Sequence, residues 1–552
     1  MNISRTQQSL LQRLRQLDEN LRVEWNDQLK TAGYLRGNLS DSNRGSSLRD
    51  APFISADNFL SEYHPLFGIN YPDQELVNDR VIADRFGMVH LSLQQQLESV
   101  PVEGGMVSLH SSTSGMLQTV FNKFIPGLNL NTAPKLCYSE AQSIVDSHVD
   151  SIITLDSAKP ELFILTSNSP PRLCWRVKLY KIHNTLPECW LYDIDALTGE
   201  IVQYHSTSHC LKKAVAWGIG YYSRGGKLNI SRDDSGTYVL YDQSRYPDGP
   251  LIETYIDSGQ LSKSNNPNWN IIKTAQRKEN QGSEVDAHRY AGYIVDYFAK
   301  VHGRNSYDDK GSTVKLLVHC SESTSWNSTL KLICISDNDN DENFDFESNL
   351  DIIAHEFTHA VTELGFEPDY TGESGAIDEA LSDCFGAFIS NTWYFDQDSW
   401  LLSTHGFRNL ANPTNNGQWN PNDETSVFKG HCPDHYEDRY QGTKDDGGIH
   451  SNCTIISHAI YLLSNGGTHR KTKITVPKLG TCVMEALLYN VQNYQLIGNK
   501  TATFLDFRKA LINACCDIYP CDQKKLRAIE VAFNAVGIIA EPSKIFYIPM
   551  LL

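Results

Sequence analysis

The chain has 552 residues, 40% hydrophobic and 21% charged, with 48 Lys+Arg against 66 Asp+Glu and a net charge of −18. At roughly 100–200 residues per domain, about three or four domains are expected. The acidic balance excludes a chain-wide basic footprint for nucleic acid, and ordinary Gly and Pro contents (36 and 21) exclude collagen-like and low-complexity classes. No apolar run approaches the ~18 residues of a membrane-spanning helix. The polar start Met1-Asn2-Ile3-Ser4-Arg5 carries no recognisable secretory signal. Thirteen cysteines, odd in number, sparse and without a Cys-x-x-Cys pair, predict scattered buried thiols rather than a disulfide scaffold.

In chain order, Leu10, Leu11, Leu14, Leu17 and Leu21 are spaced for one apolar helix face. Ser40 to Asp50 reads as a linker. Short alternating runs, Val89–Leu93 and Met106–Leu109, predict strands, the second entered through Gly104-Gly105. A helix is predicted over 137–150. Strand patterns return over 161–203 and close on a turn at Asp195–Gly199. From about 212 the chain becomes Gly- and aromatic-rich, as in Gly218-Ile219-Gly220-Tyr221-Tyr222, with a helix near 285–302. After Asp351 helical patterns dominate: 351–364, 374–392, 450–464, 476–493, 503–516 and 523–536. Residues 1–210 hold no convincing catalytic cluster.

The chemistry concentrates in His355-Glu356-Phe357-Thr358-His359. On a helix, positions i and i+4 share a face, so two imidazoles can bind one metal ion while Glu356 reaches a water beside it. Glu379, twenty residues after His359, opens a second helix and can complete a set of two histidines and one carboxylate, leaving a fourth position for water. Asp378 and Asp383 are spaced to hold the two imidazoles from behind.

Three segments, 351–363, 370–386 and 433–469, resemble the thermolysin-like zinc endopeptidases in order and spacing. The last includes Gly442-Thr443-Lys444-Asp445-Asp446-Gly447-Gly448-Ile449-His450 and Asn465-Gly466-Gly467-Thr468-His469. The leader is similar to the family's inhibitory propeptide in Val100-Pro101-Val102-Glu103-Gly104-Gly105 and in the Asp195–Glu200 turn. The resemblance implies an α+β fold: a strand-rich propeptide, then a two-lobed catalytic domain with a mixed β-rich lobe, a helical lobe and the active site between them. The boundaries it suggests are a polar segment 1–75, propeptide 76–211, lobes 212–350 and 351–538, and a tail 539–552.

It also implies one catalytic zinc on His355, His359 and Glu379, with Glu356 as general base. His450 and Tyr370 match the groups that stabilise the developing oxyanion, Asp445 the carboxylate that orients His450, and Arg408 an arginine that binds the substrate carbonyl. Ile352, Phe407 and Trp326, with Phe344 or Phe346, would line the substrate pocket and favour a bulky apolar residue after the scissile bond. The expected partners are protein or peptide substrates and the chain's own propeptide as intramolecular inhibitor. The expected molecule is a monomer made as a proenzyme with processing near 205–216, where Lys212-Lys213 offers a basic point, and the family's habit is extracellular.

Three departures accompany the match. Of the family's calcium carboxylates Asp351 remains, but Ser390 replaces a common Glu, and the acidic run Asp337–Glu347 reads as a solvated loop rather than a Ca2+ site. The cleft edge reads Ser323-Thr324-Ser325-Trp326-Asn327, without the Asn amide that usually grips substrate backbone. The export signal is not recognisable. Two readings of other kinds compete: a weakly active binding protein whose leader stays docked, which the complete catalytic set opposes, and a zinc aminopeptidase, which would want an acidic anchor for a free amine.

Overall fold

The computed structural model describes residues 3–39, 48, 51–84, 87–148, 152–153, 161–166, 170–183, 186–209, 211–223, 225–233, 236–245, 249–269, 281–321, 323–336, 349–393, 400–402, 408–415 and 432–539. The chain divides into two compact units, Met1–Ala214 with Ser231–Val239, and Val215–Ile230 with Leu240–Leu552.

The first unit opens with a helix, Arg5–Leu17, started by a capping box in which Ser4 and Gln7 satisfy each other's backbone N–H groups. Leu10, Leu11 and Leu14 are buried as the spacing predicts. Leu17 is exposed because the helix ends there, and Leu21 enters the core from beyond it. Strands follow in the spatial order 22–26, 31–36, 117–122, 100–111, 161–165, 172–183, 186–195, 201–209, and 76–83 joins through 89–97 to 100–111. Neighbours run antiparallel except 100–111 and 161–165. The alternating burial of Val89–Leu97 and Val100–Ser111 sends Leu91, Leu93, Val107 and Leu109 into one core with Phe59, Phe67 and Phe124. The predicted turn is present: the Asp195 carboxylate accepts from the N–H groups of Leu197 and Thr198, and Gly199 takes φ +79°. The predicted linker over Ser40–Asp50 lies, apart from Leu48, outside the described residues.

The second unit carries a sheet in the order 241–242, 252–256, 314–320, 332–336, 325–327. Strands 252–256, 314–320 and 332–336 are mutually parallel, and the three-residue strand Ser325–Asn327 runs antiparallel along the outer edge. The helix Gly282–His302 packs on this sheet and meets the helix Leu350–Leu364. Phe298, Phe357 and Phe385, all fully buried, join three helices at centroid distances of 5.2 and 5.6 Å. The other long helices are Gly372–Trp393, Asp445–Asn465, Phe504–Ile518 and Gln523–Ala535. The helix predicted over 476–493 starts only at Thr481. Thr475–Val476 pair with Gly467–Thr468 as strands, and Pro477 and Gly480 (φ +96°) break the chain between. A π-helical turn, Val491–Gln495, follows it.

One prediction about thiols is corrected: Cys320 and Cys334 form a disulfide. The two lie on neighbouring parallel strands that only the fold brings together, so their spacing along the chain carries no sign of the bond. Of the free cysteines, Cys174, Cys384, Cys453 and Cys515 are buried, while Cys137, Cys482, Cys516 and Cys521 are exposed.

Two helices carry the site, and their separation is set by Gly386. A Cβ there would stand 2.7 Å from the backbone oxygen of Asp351. Gly386→Ala therefore forces Gly372–Trp393 away from Leu350–Leu364 and destabilises the fold by about 1–3 kcal/mol, the usual cost of overpacking. Thermal unfolding of the variant checks this.

Candidate metal centre

The helix Leu350–Leu364 holds His355, Glu356 and His359 along one side, and its buried hydroxyls are satisfied internally: Thr358 donates to Ala354 O and Thr362 to Thr358 O. Gln492, from the π-helical turn, donates to Thr362 Oγ1 at 2.7 Å and braces the same helix. Glu379 comes from Gly372–Trp393 and is fully buried. His355 Nε2 and His359 Nε2 stand 3.0 Å apart, and the Glu379 carboxylate lies 3.5 and 3.3 Å from them. Behind the rings, Asp378 Oδ2 is 3.0 Å from His359 Nδ1 and Asp383 Oδ1 is 3.0 Å from His355 Nδ1. The carboxylates favour the proton on each Nδ1, so both Nε2 lone pairs face each other and an anion. Such a set calls for a cation in its midst. Tetrahedral ligands about 2.0–2.1 Å from zinc stand roughly 3.3 Å apart, so the spacing fits that ion.

A second group, Asp434, His458 and His469, also brings ligand atoms within 4.8 Å of one another. Its donors are already committed. Arg470 takes both Asp434 oxygens, His469 Nε2 donates to the Asp434 carbonyl at 3.0 Å, and its Nδ1 accepts from Thr472 N–H. His458 donates from Nδ1 to Leu410 O. This is a hydrogen-bonded core network, and a cation beside Arg470 would meet an uncompensated charge.

Around the first group, Glu356 Oε2 accepts from the backbone N–H of Trp326 at 2.8 Å. Burial, with Glu379 nearby, pushes the Glu356 carboxyl above its usual range despite the adjacent histidines. Burial works against charge on Glu379 too, but His450, His359 and His355 overcome it and hold that carboxyl well below its usual range. His450 Nδ1 pairs with Asp445 at 2.5 Å, and its Nε2 lies 3.4 Å from Glu379 Oε1 and 3.5 Å from the Tyr370 hydroxyl. The Tyr370 hydroxyl donates to Glu379, and burial and that carboxylate raise its pKa. The approach of Asp445 to His450 depends on the turn Asp446-Gly447-Gly448, whose φ values of 47°, 91° and 80° reverse the chain before the regular helix begins.

Arg408 is buried, forking onto Asp383 at 2.6 and 2.7 Å and reaching Glu379 at 3.3 Å. Ile352, Trp326 and Ser323 line the same cleft of about 880 Å³, with Glu363, Glu367 and Pro368 on its wall. Asp351 is buried in the first helical turn, its carboxylate accepting from Ile352 N–H. Phe407, Phe344, Phe346 and the acidic run 337–347 lie outside the described residues. Sequence reading missed Glu363, which accepts from the Trp326 indole N–H and from Lys331 Nζ. Its place seven residues after Glu356, on the same helix face, was the available signal.

The family model described as the thermolysin metallopeptidase catalytic domain matches residues 216–363, and that for the thermolysin metallopeptidase alpha-helical domain matches 367–538, together more than half of the chain. The chain belongs to the thermolysin family of zinc metalloendopeptidases. Residues 74–124 match the Fungalysin/Thermolysin Propeptide Motif, and the thermolysin-like enzyme is made as a proenzyme. Among relatives, a thermolysin of Bacillus sp. (strain EA1) is 29% identical over 548 residues, covering 93% of this chain and 94% of that protein. A bacillolysin of Brevibacillus brevis is 29% identical over 465 residues, covering 81% and 82%. A solved precursor of protealysin from Serratia proteamaculans aligns with TM-score 0.42 at 22% identity, covering 52% of this chain and 88% of that one. The resemblance and the fold class expected from sequence are thus borne out. No helix among the described residues is long and apolar enough to cross a membrane.

His458 makes this thermolysin-family unit sensitive to acid. Burial, with His469 and Arg470 nearby, pushes its pKa down to about 4. The unfolded ring titrates near 6.5, so its contribution is complete above that pH and is lost as pH falls toward 4, where the unfolded chain alone takes the proton. The loss amounts to about 3 kcal/mol. His458→Gln should flatten this part of the stability–pH curve, read by denaturant unfolding between pH 7 and 4.

Proposed function

We propose that His355, His359 and Glu379 hold the catalytic zinc and that Glu356 is the general base for hydrolysis of internal peptide bonds. The observation that carries this reading is the convergence of His355 Nε2, His359 Nε2 and the Glu379 carboxylate, at nearest distances of 3.0–3.5 Å, backed by Asp378 and Asp383. When bound, zinc supplies the Lewis acidity that polarises the scissile carbonyl and acidifies the attacking water. Glu356 takes that water's proton and returns it to the leaving amine. His450 and Tyr370 donate to the charge growing on the former carbonyl oxygen, with Asp445 fixing the His450 tautomer. Arg408, locked onto Asp383, lines the cleft and is the residue that would bind the substrate carbonyl.

An extended substrate adds along the edge of Ser325–Asn327, and Ile352 in the cleft favours a bulky apolar residue after the scissile bond. The leader 76–211 acts as intramolecular inhibitor of lobes 212–350 and 351–538. An extracellular site of action is supported by the Cys320–Cys334 disulfide, which persists in oxidising surroundings. Ca2+ enters this reading at most through Asp351.

The test compares wild type, Glu356→Gln and His450→Ala for self-cleavage and casein digestion, with and without a zinc chelator. Glu356→Gln should lose about 10²–10⁴ in rate and His450→Ala about 10²–10³, and chelation should stop wild type. A wild-type chain that never cuts itself or casein, even after limited proteolysis of the leader, would overturn the reading. Because Glu356 must be ionised to act and its carboxyl is raised by burial, kcat/KM should fall on the acid side with a midpoint above 4.5. A pH–rate profile on a short peptide measures it.

A further inference from the structure

The cleft edge Ser325–Asn327 lies inside the loop closed by Cys320 and Cys334, fourteen residues apart. Cys334 stands opposite Ser325, the first residue of the edge strand, and opposite Leu317 on its other side. Cys320 ends the strand Val314–Cys320. Just before it the register shifts, and His319 takes φ +67°. The hydrogen-bonded ladder is therefore interrupted where the disulfide spans the two strands. The edge strand has three residues and a single neighbour in the sheet. The hydrogen bonds that tie this segment elsewhere include Ser336 N–H to Thr324 Oγ1 at 3.0 Å, Trp326 N–H to Glu356 at 2.8 Å and the Trp326 indole to Glu363 at 2.7 Å.

We propose that the Cys320–Cys334 disulfide is the positioning device for the substrate-binding edge, holding residues 323–328 in the register where an extended peptide pairs with them. The proposal rests on reading this cleft as the peptide site. A strand this short has little stability of its own, and its outer edge, where Glu356 holds the Trp326 N–H, serves a substrate only at a fixed height and angle. Restricting the loop in advance removes ordering cost from the binding step. The covalent clasp thus compensates for the missing Asn side chain at the Ser323 segment by presenting backbone instead. Neither cysteine touches substrate; both act through the strand between them. Both cysteines are buried, so the bond is opened with a small reductant and the thiol state is checked directly. Opening it takes two electrons and two protons and yields two thiols. A water-soluble phosphine supplies the electrons and becomes its oxide, with oxygen from water.

The full-length, zinc-loaded and processed protein is compared before and after tris(carboxyethyl)phosphine, beside Cys320→Ser/Cys334→Ser, with thiol state mapped by mass spectrometry. Opening the clasp should raise KM for an internally quenched peptide about tenfold, equivalent to about 1.4 kcal/mol, with kcat within about twofold. Amide exchange should quicken over 323–328 and stay unchanged over 351–362. Reoxidation should restore wild type, and the double variant should ignore the phosphine. Unchanged KM and exchange with the bond open overturns the proposal, as does loss of kcat at fixed KM, or free thiols at both positions in untreated protein. If oxidised wild type cuts no peptide, the peptide-site reading fails instead, and the exchange measurement still decides the clasp.

Discussion

Two imidazole nitrogens stand 3.0 Å apart where two buried helices cross, and each has one oxygen of the Glu379 carboxylate 3.5 or 3.3 Å away. Nothing in a low-dielectric interior tolerates that crowding without positive charge among them. Much of the catalytic unit follows from the requirement. Asp378 holds the His359 imidazole, Asp383 lies behind His355, Arg408 balances Asp383, and His450 and Tyr370 crowd the rim of Glu379. Gly386 lets the helices approach closely enough, and the phenylalanine cluster beneath keeps them there.

The sheet makes its contribution at one edge. The helix bearing Glu356 receives a backbone N–H from Trp326 and an indole N–H through Glu363, so strand and helix locate each other. A base whose carboxylate is held by the segment that meets the substrate is oriented by the same contacts that define the cleft wall. The Asp434–His458–His469 group shows the contrast. Similar residue types at similar distances make a structural network when Arg470 and backbone carbonyls occupy their donors and acceptors. Identity and proximity do not distinguish the two groups; the Arg470 fork on Asp434 and the imidazole bonds to backbone carbonyls do.

The helical lobe was legible in sequence because His355 to His359 is a local spacing and Asp378, Glu379 and Asp383 lie on one short helical segment. The left-handed turn Asp446-Gly447-Gly448 was visible as a motif, but its purpose, turning Asp445 back onto His450, appears only in three dimensions. Leu17 was misplaced on a buried face because periodicity does not say where a helix stops. The disulfide was missed because parallel strands join residues through a crossover that no sequence period encodes. Glu363 escaped notice for a related reason: its partners, Trp326 and Lys331, come from a different layer.

Cys384 and Cys453 sit on the two helices that flank the metal centre, and Cys453 Sγ lies 3.2 Å from His450 O. Burial, reinforced by Asp383, pushes both thiols well above the ordinary cysteine range. Since exchange and oxidation proceed through the thiolate, these two are chemically quiet. Among the described residues, Cys137, Cys482, Cys516 and Cys521 are exposed thiols, open to alkylating probes, mixed disulfides or cross-linking between molecules. Among the described residues the free thiols thus separate by depth, quiet ones beside the machinery and accessible ones on the outside.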